Sequence, residues 1–153
     1  MRTGVRRTAS LAARLLLGRV LGYAAYAKLL DPATGVRAVR AFRLVPDPLE
    51  PAVGYGLPVL ELLLAVLLVA GVAVRLAAVL AGVLLAAFVA GIGSAWARGL
   101  SIDCGCFGGG GDVAPGQTAY GTEIVRDSAL LLVALALARW PVSHFALSYG
   151  RQP

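Results

Sequence analysis

Residues 53–97 read VGYGLPVLELLLAVLLVAGVAVRLAAVLAGVLLAAFVAGIGSAWA, and only Glu61 and Arg75 interrupt the run with charge. As one helix the stretch would be roughly 67 Å long, about twice the ~30 Å hydrocarbon core of a bilayer. Two helices are therefore expected, broken at residues 71–75, with spans over 53–73 and 76–97 forming a tight antiparallel hairpin. In the second of them Ala78, Gly82, Ala86, Ala90 and Ser94 recur at every fourth position. Such a stripe of small residues lets neighbouring helices approach closely and predicts a central helix.

On the amino-terminal side, residues 10–30 form another apolar run of spanning length, preceded by Arg2, Arg6 and Arg7. Arg14 and Arg19 lie within it and must face protein or snorkel to the headgroups. Gly18-x-x-x-Gly22 is a close-packing pattern. Basic residues, an apolar stretch and then Ala25-Tyr26-Ala27 also resemble a cleavable signal peptide. Arg14 and Arg19 fall where the apolar region of a signal should be unbroken, so a retained helix is expected. Residues 31–52, with Pro32, Pro46, Pro48 and Pro51, form a polar connection. Within it, 34–44 reads as a short amphipathic helix on the membrane surface, with a solvated loop as the alternative.

On the other side, residues 124–142 form the last run. Glu123 and Asp127 in its first turn and Arg139 in its last suit the helix dipole. Trp96 and Trp140 fit interfacial anchoring. The expected fold is all-α: one integral membrane domain over 1–153, a four-helix bundle of antiparallel up-down spans. Composition agrees, because the chain is 59% hydrophobic and only 14% charged, whereas soluble domains are about 25% charged. The formal charge of +6 is scattered over the ends of apolar runs. With no dense basic patch or aromatic platform, nucleic acid is not an expected partner. Lys and Arg divide almost evenly between the two sides, and the leading arginines favour a cytoplasmic amino terminus in a bacterial plasma membrane.

Between the third and fourth spans lies Asp103-Cys104-Gly105-Cys106-Phe107-Gly108, followed by glycine through Gly111. It carries both cysteines and, in this orientation, is extracytoplasmic, where disulfides persist. A bridge between residues two apart closes a very small ring, and strained, exposed disulfides tend to be the exchanging ones. Residues 108–111 are expected to act as a loose tether that lets the pair swing toward a partner. Arg98 would favour a thiolate and Asp103 would disfavour it. Three readings stay open: a redox pair, a soft-metal site such as copper, or an inert structural bridge. The metal reading lacks ligands, since His144 is expected at the opposite boundary and Met1 is the only methionine.

Glu61 follows Pro58 inside the second span, and Lys28 near the outer end of the first is its candidate partner. Pro58 frees a carbonyl and is expected to kink the helix. Glu61 is either a proton acceptor or pocket wall for thiol chemistry, or an ion-pair partner or protonated carboxyl that fixes helix register. Arg126 and Asp127 open the last span, where they pair with Asp103 or Glu123, position a partner, or are simply solvated. No quinone-binding motif is visible, although a quinone near Glu61 is a possible electron acceptor.

The ordered set is Lys28-Leu29-Leu30-Asp31-Pro32, then Leu57-Pro58-x-x-Glu61, then Asp103-Cys104-Gly105-Cys106-Phe107-Gly108, and last Val125-Arg126-Asp127. It resembles the methylamine-utilisation protein MauE family, grouped with DoxX-like redox-associated membrane proteins. The Cys-Gly-Cys-Phe-Gly element is the specific part. The resemblance implies a four-helix membrane protein whose Cys104–Cys106 pair works with a thioredoxin-like partner or an exported protein. It further implies disulfide formation or maturation, as for the disulfide-rich small subunit of methylamine dehydrogenase. Glu61, Lys28 and Arg126 would then line the mouth of the pair, supported by Pro58. The more usual family residue after the arginine is asparagine, so Asp127 is a departure. A non-catalytic scaffold for a redox maturation partner is the alternative of a different class.

Overall fold

A computed structural model describes residues 2–141, with side chains from Gly4 onward. The protein is mostly helical: α1 is Arg2–Leu30, α2 Pro32–Phe42, α3 Glu50–Ala70, α4 Val74–Ala97 and α5 Tyr120–Arg139, with a 3-10 turn at Asp47–Leu49. Between α4 and α5, strands β1 (Ile102–Asp103) and β2 (Gly111–Asp112) pair antiparallel, Ile102 opposite Asp112 and Asp103 opposite Gly111. His144 lies outside the described residues.

Two helical stretches, Asp47–Ala70 and Val74–Ala97, are long and apolar enough to cross a membrane. They are separated where expected. Gly71 takes the left-handed conformation that closes α3, and its N–H bonds to the Leu67 carbonyl at 3.0 Å.

The helices associate as two antiparallel pairs. Along α1 and α3, descending positions of one meet ascending positions of the other. Lys28 reaches Glu61, a Cβ on Gly22 would touch Ala65, and one on Gly18 would meet Val69 at 2.7 Å. The Gly18 and Gly22 pattern thus marks a close backbone approach, as expected. Along α4 and α5, Trp96 stacks against Tyr120, while Gly82 faces Leu131 and Ala134. Leu17, Leu21, Leu64, Leu68, Ala77, Ala81, Leu85, Ala134 and Leu137 close a common core between the pairs.

The small-residue stripe of α4 is only half right. Ala78 and Gly82 are buried, but Ala86 and Ala90 are exposed. Four residues turn a helix by about 400°, so an every-fourth-residue row drifts about 40° per step and leaves the contact after two. The buried face continues instead through Leu84, Leu85, Ile92 and Ala95.

The connection 31–52 is also more than a surface helix. One face of α2 buries Thr34, Gly35, Ala38 and Ala41. Pro58 of α3 has no N–H to offer the Gly54 carbonyl four residues back. That oxygen is the atom a Cβ on Gly35 would meet at 2.6 Å, so the α2–α3 crossing sits where Pro58 frees the backbone. α2 therefore stands between α3 and the cysteine loop.

Candidate functional site

Cys104 and Cys106 form a disulfide across Gly105, with their Cα atoms 5.4 Å apart. Gly105 has φ +67°, and a Cβ there would meet the Ala38 Cβ at 2.7 Å. Gly110, at φ +96°, would meet the same methyl at 2.6 Å. Both positions combine a backbone shape open to glycine with a contact that leaves no room for a side chain. The expected loose tether is thus a packed loop. Gly105 N–H donates to Asp103 Oδ1 at 2.9 Å, Cys106 N–H to Cys104 Sγ at 3.2 Å, and Val113 N–H to the Ser101 carbonyl at 2.9 Å.

Each neighbouring helix holds one part of the loop. Tyr120 of α5 takes the Ile102 N–H on its hydroxyl at 3.0 Å and donates to the Leu100 carbonyl at 2.5 Å. Phe107 packs on Tyr23 of α1 at 5.8 Å between ring centroids, and the Arg126 guanidinium lies 4.4 Å from the Phe107 ring. The two cysteines are only 8% and 6% exposed, so they form part of a small core with Ile92, Ile102 and Tyr120.

Lys28, near the end of the first apolar run, and Glu61, inside the second, meet as expected. Lys28 Nζ lies 2.7 and 2.8 Å from the two Glu61 oxygens, with both side chains almost wholly buried. Lys28 also approaches the Phe88 ring, 5.7 Å from its centroid. Above the pair is a cavity of about 260 Å³ whose walls include Lys28, Phe42, Phe88, Cys104 and Cys106. The structure therefore brings Lys28 and the cysteine pair to one space, while Glu61 stands behind Lys28 and Pro58 sets the α2 crossing.

Arg126 lies on the other side of the loop, where it donates to Asp127 Oδ1 at 2.8 Å. Its partner is thus its own neighbour, not Asp103 or Glu123. Arg98, considered above for its effect on the thiols, instead donates to the Phe42 carbonyl at 2.5 Å and to Ser94.

The residue that sequence reasoning undervalued is Glu123. Its carboxylate, that of Asp103 and Cys104 Sγ have ligand atoms all within 4.8 Å of one another. Glu123, which precedes the apolar run 124–142, has its carboxyl pushed above the ordinary glutamate range. Burial is the main cause, and Asp103 and then Asp127 add to it, while Arg126 and the Cys104 amide oppose. Glu123 Oε2, Arg126 Nη2 and Asp127 Oδ2 are buried without a hydrogen-bond partner among the described residues. The available signal was the i, i+3, i+4 spacing of Glu123, Arg126 and Asp127, which places all three on one helix face. As a metal set the cluster offers two hard carboxylates and a sulfur already committed to a disulfide. That combination suits copper poorly.

Residues 6–140 match the family described as methylamine utilisation protein MauE. The Methylamine utilization protein MauE of Paracoccus denitrificans is 36% identical over 128 residues, covering 83% of this chain and 67% of that protein. No solved structure matches. The tight Cys-Gly-Cys loop and the pairing of Lys28 with Glu61 thus occur on a chain that is alike over nearly its whole length, and the protein belongs to the MauE family.

Proposed function

We propose that the protein is a multi-pass membrane thiol–disulfide redox protein that exchanges electrons between Cys104/Cys106 and a thioredoxin-like or exported partner. The observation that carries this reading is the disulfide itself: two cysteines, bridged two residues apart, on a loop held by three helices over a buried ion pair. The family and the Paracoccus relative carry the name of methylamine utilisation, and a disulfide-rich enzyme subunit is the client this reading favours.

In this reading α1, α3, α4 and α5 from residue 124 onward all span, and Glu123 lies at the mouth of the last span. Leu15, Leu16, Val59, Leu63, Val66, Val79, Val83, Leu132 and Leu135 present large apolar side chains outward around these helices. A bilayer covers such surface, whereas water would leave it as an aggregation hazard. The leading arginines keep the amino terminus cytoplasmic and put the loop outside.

In the exchange, a partner thiolate attacks one sulfur of the Cys104–Cys106 bond and forms a mixed disulfide, and the other cysteine leaves as a thiolate. A second partner thiolate then displaces the first cysteine. The partner gains a disulfide, and the pair gains two electrons and, on protonation, two protons. Because both sulfurs are shielded, the partner must bind over the exposed edge around Gly109 and Asp112 and displace the loop.

Labelling intact cells with a membrane-impermeant maleimide, before and after mild reduction, tests orientation and chemistry together. Mass added at Cys104 and Cys106 only after reduction is the expected result. Labelling that requires permeabilisation would place the loop inside and overturn the topology. Full retention of the thiol phenotype in the Cys104→Ala/Cys106→Ala protein would overturn the redox role and leave a scaffold.

A further inference from the structure

The cavity over Lys28 has properties that protein–protein disulfide exchange does not use. It lies between α2, α3 and α4, with the disulfide in one wall and the exposed apolar residues Leu44 and Val53 among its lining. Among the described residues, Lys28 is the only charged one that lines it. An ammonium group carries three N–H donors. Among the described residues, Lys28 bonds only to the two oxygens of Glu61. One donor of a side chain 3% exposed is thus left with no oxygen or nitrogen partner and only the Phe88 ring 5.7 Å away, in a space that is otherwise apolar and walled by two aromatic rings, Phe42 and Phe88.

The occupant that fits is flat, apolar and uncharged, and has a carbonyl oxygen for Lys28. A nicotinamide or flavin nucleotide does not fit, because its phosphates would find no further cation. A fatty chain would leave the ammonium N–H unsatisfied, a costly outcome for a buried group. We propose that this cavity is a quinone-ring site in which the reduced Cys104/Cys106 pair is reoxidised. This inference rests on the redox function proposed above and adds the carrier that receives the electrons.

The reaction balances as a two-electron transfer. One thiolate sulfur adds to the quinone ring, and the second attacks that sulfur and closes the Cys104–Cys106 bond. The ring departs with the electron pair. The two thiol protons pass to the ring oxygens, giving one quinol and one disulfide. Lys28 stabilises the developing oxyanion through its remaining N–H, and Glu61 holds the ammonium in place. The apolar rim suits a ring carried on an isoprenoid chain, which reaches the site from the bilayer without crossing water.

The test uses the purified full-length protein in lipid nanodiscs, reduced with dithiothreitol and freed of reductant under anaerobic conditions. The probe is a decyl-substituted ubiquinone, whose blocked ring limits arylation of thiols. Expected is the loss of one quinone absorbance equivalent per protein, together with loss of both maleimide mass tags. Two cavity-filling changes on α4, Ala87→Phe and Gly91→Leu, should each slow the quinone reaction at least tenfold. Both should leave reoxidation by the small oxidant diamide unchanged. If diamide restores the disulfide and the quinone does not, the quinone site is wrong and the redox function stands. Equal quinone rates in wild type and both filled variants would also remove the site, since the reaction would then occur elsewhere. If neither oxidant changes the thiol state, the redox function itself falls, and this inference with it.

Discussion

Two cations are buried on α1, and they are buried for different reasons. Arg14 lies at the end of the core remote from the cysteines, 1% exposed, where it donates to the Leu68 carbonyl at 2.9 Å and the Val69 carbonyl at 3.2 Å. Those carbonyls belong to the last turn of α3, where intrahelical donors run out. Arg14 is thus a side-chain cap for a neighbouring helix. Lys28, equally deep, meets a carboxylate that is itself buried, beside a disulfide and a cavity. Arg14 serves groups that any helix end leaves over. Glu61, by contrast, was placed mid-helix, where no backbone demand called for it. A buried charge points to function when the structure has to supply its partner specially.

The largest effect expected from breaking this contrast is Glu61→Ala. It strands the Lys28 ammonium in an apolar interior, and removal of one partner of a buried pair costs about 3–5 kcal/mol. Removing both charges together, as Lys28→Met/Glu61→Met, should restore most of that stability, because no unpaired charge remains. Thermal unfolding in detergent reads both. A double variant as unstable as Glu61→Ala would show that the pair is a structural rivet instead.

Arg14→Met comes next, with a loss of about 1–3 kcal/mol from the carbonyls left without a donor. Its thiol–disulfide exchange rate should match wild type once the protein is folded. If Arg14→Met slowed thiol oxidation in the folded protein, the distinction between the two cations would collapse.

The same contrast shows what the sequence could reveal. The pairing of Lys28 with Glu61 was legible because Glu61 is the one charge inside its span and needs a partner, and Lys28 lies at a matching depth near the outer end of the first. The α3–α4 break was legible for a similar reason: one helix over 53–97 would outrun the bilayer, and Gly71 offers a stop. The role of the loop glycines was not legible. A glycine run reads as freedom, yet Gly105 and Gly110 are held by contact with Ala38, more than sixty positions earlier in the chain. Only the fold shows that glycine there is needed for space as much as for rotation. Glu123 was obscured in another way, because an acidic residue in a first helical turn already has a sufficient explanation in the dipole. Its nearness to Asp103 and Cys104 depends on the hairpin register of Ile102 with Asp112, which nothing local encodes.

The smallest expected effect concerns that carboxyl, and its sign is definite. Burial, then Asp103 and Asp127, raise the Glu123 carboxyl above its ordinary value, so the folded protein holds this proton more tightly than the unfolded chain. Its contribution to stability is complete below the ordinary glutamate value and is lost as pH rises through the raised folded value. Glu123→Gln keeps the shape and removes the titration. The variant should therefore gain stability relative to wild type as pH rises through this window, and show no relative gain below it. Unfolding midpoints of the two proteins across that range decide the matter. If their difference does not change with pH, Glu123 keeps its charge in the folded state. The pull of Arg126 and the Cys104 amide would then balance burial and the neighbouring carboxylates.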